Sequence, residues 1–131
     1  MNRPTATPVA AAVTQLPDLP AVRASRVVKF DVAGYDGYLT IVMDGAGNIR
    51  QVFVKLAKEG STLSGFARAW AMAVSIGLRN GTPVSDFTAA MAGLRFEPYG
   101  YAQLGDAHVE VDSIVDAWCK ILNKQDTRGK R

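Results

Sequence analysis

Two short stretches hold the residue types with which this chain could do chemistry. The first is Lys58-Glu59-Gly60-Ser61-Thr62, just ahead of a long helix-forming run. A helix N-terminus presents backbone N–H groups without partners and a partial positive charge, and both suit a phosphate. Gly60 permits close approach, Ser61 and Thr62 add hydroxyls, and Lys58 adds a charge. The same residues also make an ordinary helix cap, with Ser61 or Thr62 as the capping side chain. No Walker-type phosphate loop is present. The second stretch is Arg95-Phe96-Glu97-Pro98, where opposite charges flank an aromatic ring. It reads either as an Arg95–Glu97 pair pinning a loop or as a contact to a ligand or partner. The expected site residues are therefore Lys58, Gly60, Ser61 and Thr62 for an anion or nucleotide, with Arg95 and Glu97 as a ligand or partner loop.

Other chemistries lack their parts. The one histidine, His108, stands in a polar stretch that reads as a connection between two helices, and no nucleophile–base relation follows from its position. The one cysteine, Cys119, falls beside Trp118 on the last helix and reads as a buried structural thiol. A single cysteine and a single histidine exclude an internal disulfide and a multi-cysteine metal site. Glu110, Asp112 and Asp116 cluster where the last helix is expected to start, so they complement its dipole. No catalytic residue, cofactor or metal is expected. The net charge of +3 is unevenly placed: residues 1–119 carry 10 basic and 11 acidic side chains, and residues 120–131 carry 5 and 1. The body is near neutral, and the basic character sits in a C-terminal tail over 125–131 and the residues just before it. No apolar run reaches the ~18 residues of a membrane span, and the N-terminus makes a poor signal peptide, which together point to the cytoplasm.

The elements that must position these residues follow from periodicity. Residues 1–21 hold four of the six prolines and read as a flexible Pro/Ala-rich leader, laid on the surface near Leu16 and Leu19. A single domain is expected over 22–124. Val27–Val32 alternates, Tyr38–Met43 is β-branched and aromatic, and Ile49–Leu56 alternates again, giving an antiparallel three-stranded meander. The helix after Ser61 is apolar over most of its girth, with Ser64, Arg68, Ser75 and Arg79 in one narrow stripe, so it is expected to be packed on several sides. Asn80-Gly81 ends it, and Thr82-Pro83 opens a second helix with Thr82 as N-cap. Arg95–Leu104 reads as irregular because of Pro98 and Gly100, and a last helix is expected from about Glu110 to Lys124. The fold class is α+β, in the order βββααα, with helices covering one sheet face.

The stretches VVKFDVAGYDGYLTI, FVKLAKEGSTLSG, the AVSIGL–GTPV junction and RFEPYGY resemble the TSCPD domain near the C-terminus of cobalamin-dependent ribonucleotide reductases. The resemblance covers about residues 16–123. It implies a non-catalytic accessory or regulatory role tied to deoxyribonucleotide synthesis and DNA replication, through binding of a reductase or a nucleotide. The reductase barrel, its active-site cysteines and the cobalamin site have no counterpart in this sequence, and the family's cysteine-rich tail is replaced by NKQDTRGKR. After RFEP the family's glycine-rich, asparagine-containing stretch is replaced by AQLGDAHVE. Two rival readings remain. One is a nucleic-acid-binding module that uses the Lys58–Thr62 helix end and the basic tail. The other is a structural homo-oligomer that uses Tyr99, Tyr101 and the apolar leader.

Overall fold

The computed structural model describes residues 18–58 and 60–126. Leu16 and most of the leader lie outside the described residues, as do Glu59 and the tail from residue 127. Leu19 is half-buried. The strands are β1 (Ala24–Val32), β2 (Tyr35–Met43), β3 (Ile49–Leu56), β4 (Gly100–Leu104) and β5 (Ala107–Val111). The helices are α1 (Thr62–Arg79), α2 (Val84–Met91) and α3 (Ile114–Gln125). All neighbouring strands are antiparallel, in the order β3-β2-β1-β4-β5. The α+β class holds, and the expected meander is its first half. The expected run of three helices is interrupted by a hairpin.

The first strand of that hairpin takes the second half of the segment read as irregular. Pro98 and Gly100 do end the loop, but Tyr101 to Leu104 and Ala107 to Val111 then alternate out and in. Their turn is Gly105-Asp106, with Gly105 at φ +61°, so glycine stands at the first position of a two-residue hairpin loop. Glu110 therefore belongs to β5. The last helix starts later, where the Ser113 side chain accepts the Asp116 N–H at 3.0 Å. His108 stands on β5 and stacks against Tyr101, with ring centroids 6.2 Å apart.

At the β1–β2 turn, Val32 pairs with Tyr35, leaving Ala33 and Gly34 as the two loop residues. Both have positive φ, +52° and +91°, as a type I′ turn requires. Alanine is an unusual occupant there, because its Cβ crowds the left-handed conformation.

One sheet face carries the core. Phe30, Val32, Leu39, Ile41 and Val52 point inward and are fully buried with Ile114, Trp118 and Leu122 of α3. Burying side chains of this size contributes about 1.5–3 kcal/mol each. Trp118 meets Phe30 edge-on, with centroids 5.9 Å apart. On the opposite face Val27, Tyr38, Phe53 and Tyr101 are exposed, while Val42 is buried.

α1 seats on β3 through Ala67, Ala71, Val74 and Leu78. It is not packed on several sides: Phe66, Met72 and Ile76 are half or more exposed. Nor does its polar stripe face water throughout. The Ser75 hydroxyl accepts the Val52 N–H at 3.0 Å and donates to the Val52 carbonyl at 3.1 Å, closing the edge of β3. α1 ends as read, since the N–H groups of Gly81 and Thr82 return to the carbonyls of Leu78 and Gly77 around Gly81 at φ +92°. α2 differs from expectation at its start. Pro83 is extended and occupies the N-cap position itself, and no side chain caps the helix.

Candidate functional site

α1 and α3 lie side by side on the inner sheet face and leave a cleft between them. Leu63, Phe66 and Trp70 line one wall, and Ile114, Val115 and Trp118 line the other. The β1–β2 turn closes one end with Ala33 and Tyr35. The loop Phe96-Glu97-Pro98-Tyr99 closes another side, with the Glu97–Pro98 peptide bond cis. The groove has a volume of about 1020 Å³, at the upper end of the range typical of ligand sites. Its lining is dominated by aromatic and aliphatic side chains. The chain's two tryptophans, Trp70 and Trp118, both line it, with centroids 4.9 Å apart. The Trp70 indole N–H reaches the Met91 sulfur at 3.4 Å, and the Trp118 indole N–H has no acceptor among the described residues.

The loop wall is fixed to the start of α3 by a buried carboxylate. Asp116 is 1% exposed. Its two oxygens accept the backbone N–H groups of Gly93 and Asp112, each at 2.9 Å, and Lys120 approaches both at 3.1 and 3.2 Å. Burial alone would push this carboxyl up, but the Asp112 and Gly93 amides and Lys120 together outweigh it and hold it below the usual carboxylate value. The Phe96 N–H donates to the Asp112 carbonyl at 3.0 Å. Asp116 thus does more than complement the α3 dipole: it ties the residues after α2 to the helix that forms the opposite wall.

The two stretches singled out in the sequence meet at this groove, though only in part. Of the helix-end residues, Thr62 lines it, while Lys58, Gly60 and Ser61 do not. Ser61 is the N-cap: its hydroxyl accepts the Ser64 N–H at 3.0 Å and donates to the Lys58 carbonyl at 3.3 Å. Gly60 turns the chain at φ +80°, and the Lys58 side chain is exposed. Of the loop residues, Glu97 lines the groove and Arg95 stands behind it. Arg95 does not pair with Glu97. It donates to Asp112 at 2.9 Å and lies 4.1 Å above the Tyr99 ring. That pair is well exposed at 61% and 44%, so it contributes little to stability by itself.

Glu97 is the one charged side chain among the described lining residues. The interior therefore favours apolar or aromatic surface over a bare phosphate. Cys119 is fully buried on α3, and burial pushes its thiol up to about 11, which removes it from nucleophilic chemistry at neutral pH. Among the described residues there is no cluster of His, Cys, Asp and Glu able to hold a metal ion, and no helix is long and apolar enough to cross a membrane. The aromatic lining was not singled out in the sequence. Its signal was there in Phe66 and Trp70, which are one helical turn apart on α1.

Comparison with known proteins gives a consistent result. The TSCPD domain family model matches residues 10–125. A vitamin B12-dependent ribonucleotide reductase of Streptantibioticus cattleyicolor is 37% identical over 98 residues, covering 75% of this chain and 16% of that relative. Those of Rhodopirellula baltica and Agrobacterium fabrum are 35% and 34% identical over the same length, covering 9% and 8% of the relatives. The chain thus spans a sixth or less of the curated relatives it matches. No solved structure matches.

Proposed function

The chain belongs to the TSCPD domain family, and on that premise we propose that it is a non-catalytic accessory protein of deoxyribonucleotide synthesis that docks a ribonucleotide reductase through the aromatic groove. The observation that carries this reading is convergence. Thr62 of the KEGST stretch and Phe96-Glu97-Pro98 of the RFEP stretch, which carry the resemblance and lie far apart in sequence, line one cleft. The cleft offers what a partner's apolar anchor needs: a desolvated aromatic floor with a polar rim. Arg95 and Asp112 pair behind the loop that walls the cleft, and their charges can steer an incoming chain.

A second reading is supported by the position of Thr62. A nucleotide could place its base among Trp70, Phe96 and Tyr99 and its phosphates at the α1 N-terminus, near Lys58 and Gly60. Glu97 then accepts N–H groups of the base. With an acid as the one charged lining residue, this reading ranks second.

Because both tryptophans line the groove, their emission reports its occupancy directly. Titration with a vitamin B12-dependent ribonucleotide reductase is expected to shift that emission, and Phe66→Ala and Phe96→Ala are each expected to weaken binding about 30-fold. Absence of binding in both fluorescence and co-sedimentation overturns the docking reading. A saturable shift with nucleoside triphosphate alone moves the assignment to the nucleotide.

A further inference from the structure

A second groove, of about 630 Å³, runs along the edge of β3 beneath α1. Lys55, Arg68 and Arg79 line it, and its described lining residues include no acid. Arg68 and Arg79 have no hydrogen bond or ion pair among the described residues. They are eleven residues apart, three turns of α1, so they stand on one side of the helix about 16 Å from each other. Arg23 extends the basic line at the far end, where it donates to Gln51 of the groove at 3.2 Å. This charge is local: the body as a whole is near neutral, yet the cations on this side are gathered together.

Beside the groove lies the outer sheet face. Phe53 is 53% exposed and Tyr38 is 48% exposed. Phe53 pairs with Thr40, so Tyr38 is its diagonal neighbour, about 7–8 Å away. Lys29 and Lys55 flank Tyr38 in register on the two adjoining strands. The acids Asp31 and Asp36 stand one row farther toward the β1–β2 turn and bound the basic surface there.

We propose that this surface binds single-stranded nucleic acid, with the phosphates along Arg79, Arg68 and Lys55 and bases stacked on Phe53 and Tyr38. Guanidinium groups meet phosphate oxygens two at a time, and open rings beside a basic groove accept bases without regard to sequence. An acidic polypeptide would share the charge but lose its usual route to an extended site. Adding a strand needs free backbone groups on β3, and Ser75 has taken those of Val52 at the centre of the groove. This surface is separate from the α1–α3 cleft, and the two assignments stand or fall independently.

The test is fluorescence anisotropy of the full chain with a labelled oligothymidylate of about a dozen nucleotides. The expected result is binding that weakens steeply with salt and exceeds binding to the corresponding duplex. Arg68→Glu and Arg79→Glu together should make the logarithmic salt slope shallower by about 1.4, since each phosphate on a single strand contributes about 0.7. Phe53→Ala should weaken binding about 5- to 100-fold with the slope unchanged. Arg68→Gln and Arg79→Gln, with unchanged melting curves, guard against misfolding. Three results overturn the proposal. One is no salt-dependent binding. Another is full binding by the Arg68/Arg79 variants, with loss only when Arg128, Lys130 and Arg131 are replaced. The last is displacement by polyglutamate together with indifference to Phe53→Ala, which assigns the groove to an acidic polypeptide.

Discussion

Replacing Asp116 tests how the aromatic groove is held open. In Asp116→Ala the N–H groups of Gly93 and Asp112, in part-buried bonds, lose a carboxylate acceptor that is itself 1% exposed. A stranded buried N–H costs about 1–3 kcal/mol. Lys120 is 43% exposed and turns to solvent, so its lost pairing adds little. The sum is about 3–4 kcal/mol. For a chain of 131 residues, each kcal/mol lowers the melting temperature by about 3–4 °C, so a fall of about 10–15 °C is expected by calorimetry or circular dichroism. Lys120→Met removes the ion pair alone and should cost under about 1 kcal/mol. Because Gly93 leads into the loop that walls the groove, the emission of Trp70 and Trp118 in Asp116→Ala should move to the red below the melt. Equal losses in Asp116→Ala and Lys120→Met would refute the reasoning, because the ion pair rather than the backbone anchors would then be holding the wall.

Acid should unfold the wild type partly through the same group. The folded carboxyls of Asp116 and Asp44 lie below their ordinary value of 3.8, so the stability they supply is present above that value and lost as the pH falls through the folded one. Asp116→Asn should flatten the pH dependence of the melting temperature in that acidic window and leave it unchanged near neutrality. Gly37→Ala should be among the most damaging single changes, because an added Cβ would overlap the Lys55 carbonyl oxygen on β3 and lie 2.9 Å from the Leu56 Cα; a loss above about 3 kcal/mol in urea unfolding is expected. Ser75→Ala strands the edge groups of Val52, should cost about 1–2 kcal/mol in the same assay, and should raise hydrogen exchange at the Val52 amide first.

The sequence was most legible where one local rule decided the outcome. The caps of α1 at Ser61 and Gly81 and the β1–β2–β3 meander follow from short-range chemistry, and they stand as read. The β4–β5 hairpin was missed because Pro98 and Gly100 signal irregular chain so strongly, while each strand shows only five residues of alternation. The Gly105-Asp106 pair was the available clue. Ser113 with Asp116 three residues on was the clue to the true start of α3. Thr62 and Glu97 could not be placed on one cleft from sequence, because their meeting depends on β4 pairing with β1 and on α1 and α3 sharing a sheet face. The Arg95–Glu97 pair failed for the same kind of reason: Asp112, brought in by the hairpin, lies closer to Arg95.

The girth of α1 gains its physical explanation from the two grooves. A helix so apolar all round should be buried, yet Phe66, Met72 and Ile76 remain exposed. They are not scattered: Phe66 lines the α1–α3 cleft, and Met72 and Ile76 line the groove along β3. The small residues Ala67, Ala71 and Val74 let the helix sit close on β3, and that closeness leaves its flanks standing as walls on either side. The bond from Ser75 to Val52 sets how the helix lies along the strand, and so fixes the line on which Arg68 and Arg79 stand. One helix thus divides a mainly apolar, aromatic surface from a basic one. A ligand suited to either surface is poorly matched to the other: Glu97 is the one charge in the first groove, and the second holds three cations and no described acid.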